Sequence, residues 1–154
     1  MSPMPRPAVS ASALLPVAPE VAYAVIADYH DGHPRILPRP PFTGLVVEQG
    51  GVGAGTVATA TVKLAGLSSS FRFEVTEPEP GRVLVETNDA GSVTTFTVEP
   101  VEGRHDTCRA TIETQLPGGR GPFARLNRWF LRRLLRDVLP RELERLEQVT
   151  ASRT

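Results

Sequence analysis

The sequence predicts an α+β fold in which a curved antiparallel sheet of six or seven strands closes around one long carboxy-terminal helix. Three observations predict it: strand-patterned segments separated by short turns, one extended helical pattern after Pro122, and a proline-marked helical insertion behind the first strand. Short connections require antiparallel neighbours, because parallel strands need crossovers of about a dozen residues or more.

Residues 1–7 carry three prolines and no pattern, and are expected to form a flexible tail ahead of one domain over 8–151. Val9 to Leu15 is a short apolar run that suits a strand, stopped by Pro16. Pro19 suits the first turn of a helix, where its missing N–H costs nothing, and Glu20 complements the dipole there. Val21, Ala24, Val25 and Asp28 fall on one helical face, and the helix is expected to end near Tyr29. A second short helical turn comes next, closed by Pro38, Pro40 and Pro41, which favour extended chain.

Phe42 to Glu48 reads as a strand, and beyond it stands GGVGAGT, Gly50 to Thr56. The spacing fits a phosphate loop that lacks its lysine, and it fails the G-x-G-x-x-G fingerprint. Both motifs also need a helix next, whose free N–H groups hold the anion. The chain continues instead as TVATATVKLAG, in which β-branched residues alternate with alanine as in a strand. The glycines are therefore expected to join two strands, supplying positive φ angles and a bulge.

Further strands fit Ser70 to Glu77, Arg82 to Asn88, Ser92 to Pro100 and Thr107 to Leu116, separated by PEPG, NDAG and VEGRHD. Phe71, Phe73 and Val75 share one side against Arg72, Glu74 and Thr76. Ala58, Ala60, Val62 and Leu64 oppose Val57, Thr59, Thr61 and Lys63, and Cys108, Ala110 and Ile112 oppose Arg109, Thr111 and Glu113. One face is dry and one wet, with Phe96 and Val98 on the dry side. For Arg82 to Asn88 the parity is ambiguous: if Leu84 points inward, Glu86 goes with it and buries a carboxylate, and the outward placement is the expectation.

After PGGRG, Pro122 opens a long helix in which Phe123, Leu126, Phe130, Leu134 and Val138 recur at helical spacing, with Leu131 beside them. Pro140 removes a backbone donor and is expected to kink the helix, beyond which the stripe moves to Leu143 and Leu146.

The 154 residues suffice for one domain with a substantial core. At 40% hydrophobic and 22% charged the chain is globular by composition. Its 17 basic and 17 acidic residues cancel, so no overall field draws it to nucleic acid or membrane. Cys108 is the single cysteine, which excludes an internal disulfide and suggests a reducing, cytoplasmic setting. No signal peptide and no membrane span is read in the sequence.

The chain resembles the START-like, or SRPBCC, superfamily with its helix-grip, birch-allergen-like fold, and within it the polyketide cyclase/dehydratase and lipid-transport type. The matching pieces are VSASALLPVAPEVAYAVIADY, HPRILP, GGVGAGT, FRFEVTEPEPGRVLVET, TTFTVEPVEG and LLRDVLPRELERLEQ, spanning roughly residues 8–150. The resemblance implies an elongated apolar cavity between sheet and long helix for a lipid, polyketide or similar molecule. Small side chains at Ala58 and Ala60 leave room for it, since only large ones fill such a space. The expected lining is Ala58, Ala60, Phe71, Phe73, Val75, Phe96, Phe130 and Leu134, with Asn127 as polar anchor.

His30, His33 and Arg35 follow the first helix, and a place at the cavity mouth is considered for them beside a solvated loop. Two histidines three apart do not make a zinc signature, so no metal is expected, and no cofactor is implied. No nucleophile elbow is present, and Cys108 has no evident base. Seven arginines stand between Arg120 and Arg141 against Asp137. Arg125, Arg128, Arg132 and Arg136 form a basic face edged by Trp129, suited to an anionic membrane or an acidic partner; no nucleic-acid motif accompanies them.

These readings put first a non-catalytic binding or carrier protein for a small hydrophobic ligand. A cyclase or dehydratase acting in the same cavity is the alternative, and an interaction module using the basic helix is a third. Catalysis requires two or more polar groups converging inside the cavity, and the sequence places only Asn127 there.

Overall fold

The computed structural model describes residues 7–153, so all but Pro7 of the expected tail lies outside the described residues. The chain runs β1 (Ala8–Leu15), α1 (Pro19–Ala27), α2 (Gly32–Ile36), β2 (Phe42–Gln49), β3 (Val57–Leu64), β4 (Leu67–Glu79), β5 (Val83–Asn88), β6 (Val93–Val101), β7 (Arg104–Gln115) and α3 (Pro122–Ala151). The seven strands form one antiparallel sheet in the order β1-β7-β6-β5-β4-β3-β2. From β2 to β7 the sheet is a meander, as the short turns dictate. The amino-terminal strand completes it at the far edge beside β7.

Inward residues of the sheet are those the alternation marks: Phe73, Val75, Phe96, Val98, Cys108, Ala110 and Ile112 are all buried. Burial of Cys108 pushes its thiol up to about 11, in keeping with a small core residue. The parity of β5 is settled by register. Glu86 pairs with Val75 on one side and Thr94 on the other, and directly opposed residues share a face. Glu86 therefore points inward with Leu84, against the outward expectation. A register irregularity between Thr76 and Glu79 separates this parity from anything countable along the chain.

In α1 the buried face is Ala22, Val25 and Ile26, continued by Tyr29 just past the helix; Ala24 is exposed and Asp28 only half-buried. The helix is rotated from its expected face because Ile26 and the ring of Tyr29 bring far more apolar surface than Ala24 and Asp28. The Asp28 carboxylate instead accepts from the N–H groups of His30, Asp31 and Gly32 and shapes the turn into α2.

The glycine loop is structural. Its four glycines have φ between +65° and +137°, a region that L side chains avoid. The N–H of Gly53 donates to the Ala27 carbonyl at 2.9 Å, and Gly51 O accepts from Tyr29 N–H at 2.8 Å. Ala54 N–H donates to Glu77 Oε1 at 2.7 Å. The loop thereby straps the end of α1 to the sheet.

Helix α3 is continuous through Pro140. Its second half is anchored by Val138, Leu139, Leu143 and Leu146, all buried. The first half departs from expectation: Phe123 is 87% exposed, and Leu126, Trp129 and Phe130 are exposed by about half or more. The apolar stripe there faces a gap and the solvent rather than a packed layer, because β1, β7, α1 and α2 are the elements that pack against α3. The gap is a cavity.

Candidate functional site

The cavity has a volume of about 440 Å³ and lies between the concave face of β3–β6 and the inner side of α3. This is within the usual size range of small-molecule sites. Phe71, Phe73, Phe96, Leu134, Leu135 and Val138 make its walls. At one end the lining residues Asp89, Ala90, Asn127 and Phe130 are exposed, forming a rim. At the other end the lining is polar and closed: His33, Glu86 and Glu142.

Each of these three arrives by a different route. His33 belongs to α2 and is 2% exposed, its ring stacked on Tyr29 at 4.3 Å and edge-on to Phe96 at 5.4 Å. Its Nδ1 lies 2.7 Å from the Ile26 carbonyl, which can only accept, so Nδ1 carries a proton and Nε2 faces Glu86 Oε2 at 3.3 Å. A favourable contact there needs one proton between the two atoms, on either side. The Tyr29 hydroxyl donates to the same Glu86 oxygen at 2.5 Å. Burial raises Glu86 above the usual carboxylate range, and His33 and Tyr29 hold it partly back.

Glu142 stands on α3 one turn after Val138 and one before Leu146, in the middle of the buried stripe. It is 5% exposed and lines the cavity, yet among the described residues no hydrogen bond reaches its carboxyl. Burial, and then the nearby charge of Glu86, push it well above the usual range. Both causes favour the protonated acid over the carboxylate at this position. Burial, followed by the Glu86 charge, likewise raises the Tyr29 phenol well above its ordinary value and keeps it a donor.

Of the expected lining, Ala60, Phe71, Phe73, Phe96, Asn127, Phe130 and Leu134 border the cavity. Ala58 and Val75 face the same side of the sheet but are buried in the hydrophobic cluster with Tyr23, Ile26 and Tyr29, where the short helices already fill the bowl. His33 is at the closed end, not the mouth, because α2 turns its ring under Tyr29. His30 is exposed beside the glycine loop. Arg35 is exposed and pairs with Asp31 at 2.9 Å, away from the cavity. Arg125 and Arg136 are exposed and Arg132 half-buried, whereas Arg128 donates to the Pro117 and Gly119 carbonyls.

Tyr29, Glu86 and Glu142 are not among the site residues expected from the sequence. For Glu142 a signal existed, a carboxylate at the centre of the Val138–Leu146 stripe. For Glu86 it was Leu84, whose inward side chain commits its neighbour two residues on. Among the described residues no group of three or more His, Cys, Asp or Glu is placed to hold a metal ion.

A bowl of antiparallel strands grips one helix, hollow between them and polar at one end, which is the helix-grip architecture. The chain belongs to the polyketide cyclase / dehydrase and lipid transport family, whose model matches residues 6–151. No curated protein matches it. Among solved structures it is similar to the KanY protein, at 24% identity over 96% of this chain and 99% of that one, with a TM-score of 0.81. A START superfamily protein from Mycobacterium smegmatis aligns at 16% identity over 96% and 99%, with a TM-score of 0.69. The di-domain ARO/CYC StfQ from the steffimycin biosynthetic pathway aligns at 17% identity and a TM-score of 0.70, over 95% of this chain and 51% of that one. At these identities the likeness is one of fold.

Proposed function

We propose that the protein binds a small hydrophobic molecule bearing a ketone or hydroxyl and moves protons on it, in the manner of a cyclase or dehydratase. The observation that carries this reading is the Glu142 carboxyl, which has no hydrogen-bond partner among the described residues and is open to the cavity beside the Glu86–His33 pair. A carrier needs apolar walls and at most an anchor, whereas three polar groups at the closed end meet the requirement for acid–base work. In this reading Glu142 gives its proton to the ligand's ketone oxygen while Glu86, steadied by Tyr29 and His33, takes one from the adjacent carbon. The product is the enol, and the proton on the Glu86–His33 pair returns to Glu142 through the open cavity. The same acid can protonate a departing hydroxyl, which leaves as water.

The test uses the bicyclic ketone 2-tetralone in heavy water, following deuterium uptake beside the carbonyl. The protein is expected to accelerate exchange, and Glu142→Gln, which keeps the shape but not the acid, is expected to abolish the acceleration. Saturable binding of the ketone with exchange at the solvent rate in both proteins would leave a carrier as the correct reading, with Glu142 a hydrogen-bond anchor.

A further inference from the structure

The first half of α3 presents an apolar surface that nothing in the fold covers. At 100° per residue, the helix carries three strips in order around its axis. Asn127, Leu131 and Leu134 face the cavity; Phe130, Phe123 and Leu126 come next; Arg125, Arg132 and Arg136 lie beyond. Trp129 and Arg133 mark the border between the last two strips, with the Arg133 guanidinium 5.7 Å from the Trp129 ring centre. Phe130 belongs to both the cavity rim and the exposed strip, being 49% exposed. Leu67, at the tip of the β3–β4 hairpin whose Leu64 and Ser69 also line the cavity, is 77% exposed. Arg120, Arg125, Arg132, Arg133 and Arg136 have no carboxylate partner among the described residues, whereas Arg141 pairs with Asp137 at 2.9 Å.

We propose that this end of the molecule docks on an anionic lipid bilayer, with Phe123, Leu126 and Trp129 entering the headgroup boundary and the cavity mouth facing the membrane. Among the described residues no helix is long and apolar enough to cross a membrane. The feature that singles out a bilayer is the order of the strips. An interfacial helix needs an apolar strip flanked by cations that reach anionic headgroups, with an amphipathic aromatic ring between them. An acidic protein partner would use the arginines and leave Phe123 and Leu126 in water; a second copy would cover the apolar strip and bring like charges together. Docking here joins the rim to a reservoir of apolar molecules, and in that respect it rests on the ligand-cavity reading.

Trp129 is the only tryptophan, so its emission reports the docked face directly. The full chain is mixed with vesicles of phosphatidylcholine alone or with phosphatidylglycerol added at roughly one part in three. The expected result is a blue shift and co-flotation with the anionic vesicles only, reversed by about 0.5 M salt, where screening is strong. Changing Arg125, Arg132 and Arg136 together to Gln is expected to weaken partitioning about a hundredfold, since each surface cation contributes about fivefold. Phe123→Ser with Leu126→Ser, at positions already in water, is expected to abolish the blue shift while leaving the melting temperature unchanged. No partitioning into anionic vesicles, or partitioning that the arginine changes leave intact, overturns the proposal. So does a blue shift that grows with protein concentration without lipid and accompanies a doubled mass, which would assign the face to a second copy. Uptake of the neutral probe N-phenyl-1-naphthylamine is measured separately, without vesicles: docking without uptake sinks the cavity reading alone, and uptake without docking sinks this one alone.

Discussion

Tyr29 and Glu86 lie 57 positions apart and meet at 2.5 Å, the phenol donating to the carboxylate oxygen that also faces His33. The contact ties the end of the helical insertion to the middle of the sheet and orients the one carboxylate that β5 sends inward. Tyr29→Phe removes it without changing the packing volume. It is expected to cost about 1–3 kcal/mol in chemical denaturation, because a buried charged acceptor loses its donor. Ligand proton exchange in the variant should shift to higher pH, since Glu86 then holds its proton more tightly. A variant as stable as the parent, with an unmoved pH profile, would show the bond to be incidental.

Glu142 makes stability fall as pH rises. Its proton leaves the unfolded chain near the ordinary value of 4.5 but leaves the folded protein only well above it. Between those two values the folded state binds more protons, so its advantage is complete below 4.5 and shrinks upward from there. Glu86, also raised, acts in the same direction. Glu142→Leu is expected to flatten the decline and to raise stability at pH 8 by about 1–3 kcal/mol, because it removes a carboxyl that its desolvated position disfavours as an anion. Melting curves of both proteins across the pH range check this; parallel curves would mean that Glu142 ionises freely.

Two large-to-small substitutions on the same helix should differ sharply. Leu146 is fully buried, and Leu146→Ala is expected to cost about 2–5 kcal/mol. Phe130 borders open space, so Phe130→Ala should cost less than about 1 kcal/mol while widening the rim and altering uptake of N-phenyl-1-naphthylamine. Equal losses at the two positions would mean that the cavity collapses in solution.

At Gly53, φ is +65° and an added Cβ would sit 2.2 Å from Glu77 Oε1, the oxygen that binds Ala54 N–H. The other oxygen of Glu77 accepts from the Tyr23 hydroxyl at 2.6 Å. Gly53→Ala is expected to destabilise by about 1–3 kcal/mol through backbone strain and displacement of Glu77, read as a lowered denaturation midpoint. Gly66→Ala, at φ +82° with nothing near the added carbon, should cost only the backbone part.

The architecture was legible because alternation and punctuation act locally. Every strand is legible to within a few residues, since inward Phe73, Phe96 and Ile112 alternate with outward polar or charged residues and each turn carries its glycine or proline. The apolar walls follow from the same parity. Apart from Glu142, which the helical stripe marks, the closed end of the cavity was not legible, because it depends on non-local facts. Glu86 faces inward through cross-strand register with Val75, behind an irregularity at Thr76–Glu79. Tyr29 and His33 become interior groups only when α2 folds back over the sheet. The exposed Phe123 and Leu126 depart from expectation for the converse reason: helical spacing says which residues share a face, but not whether anything lies opposite. Ala58 and Val75 face the expected way at the wrong end of the bowl.

The place of β1 has a consequence for how the chain is made. Among the described residues its sole neighbour in the sheet is β7, with Ser12 and Thr111 hydroxyls meeting across 99 positions. During synthesis β1 therefore waits without its partner until β7 has left the ribosome. The meander from β2 to β7 can assemble from nearest neighbours as it emerges, so the slow event is capture of β1 across that long loop.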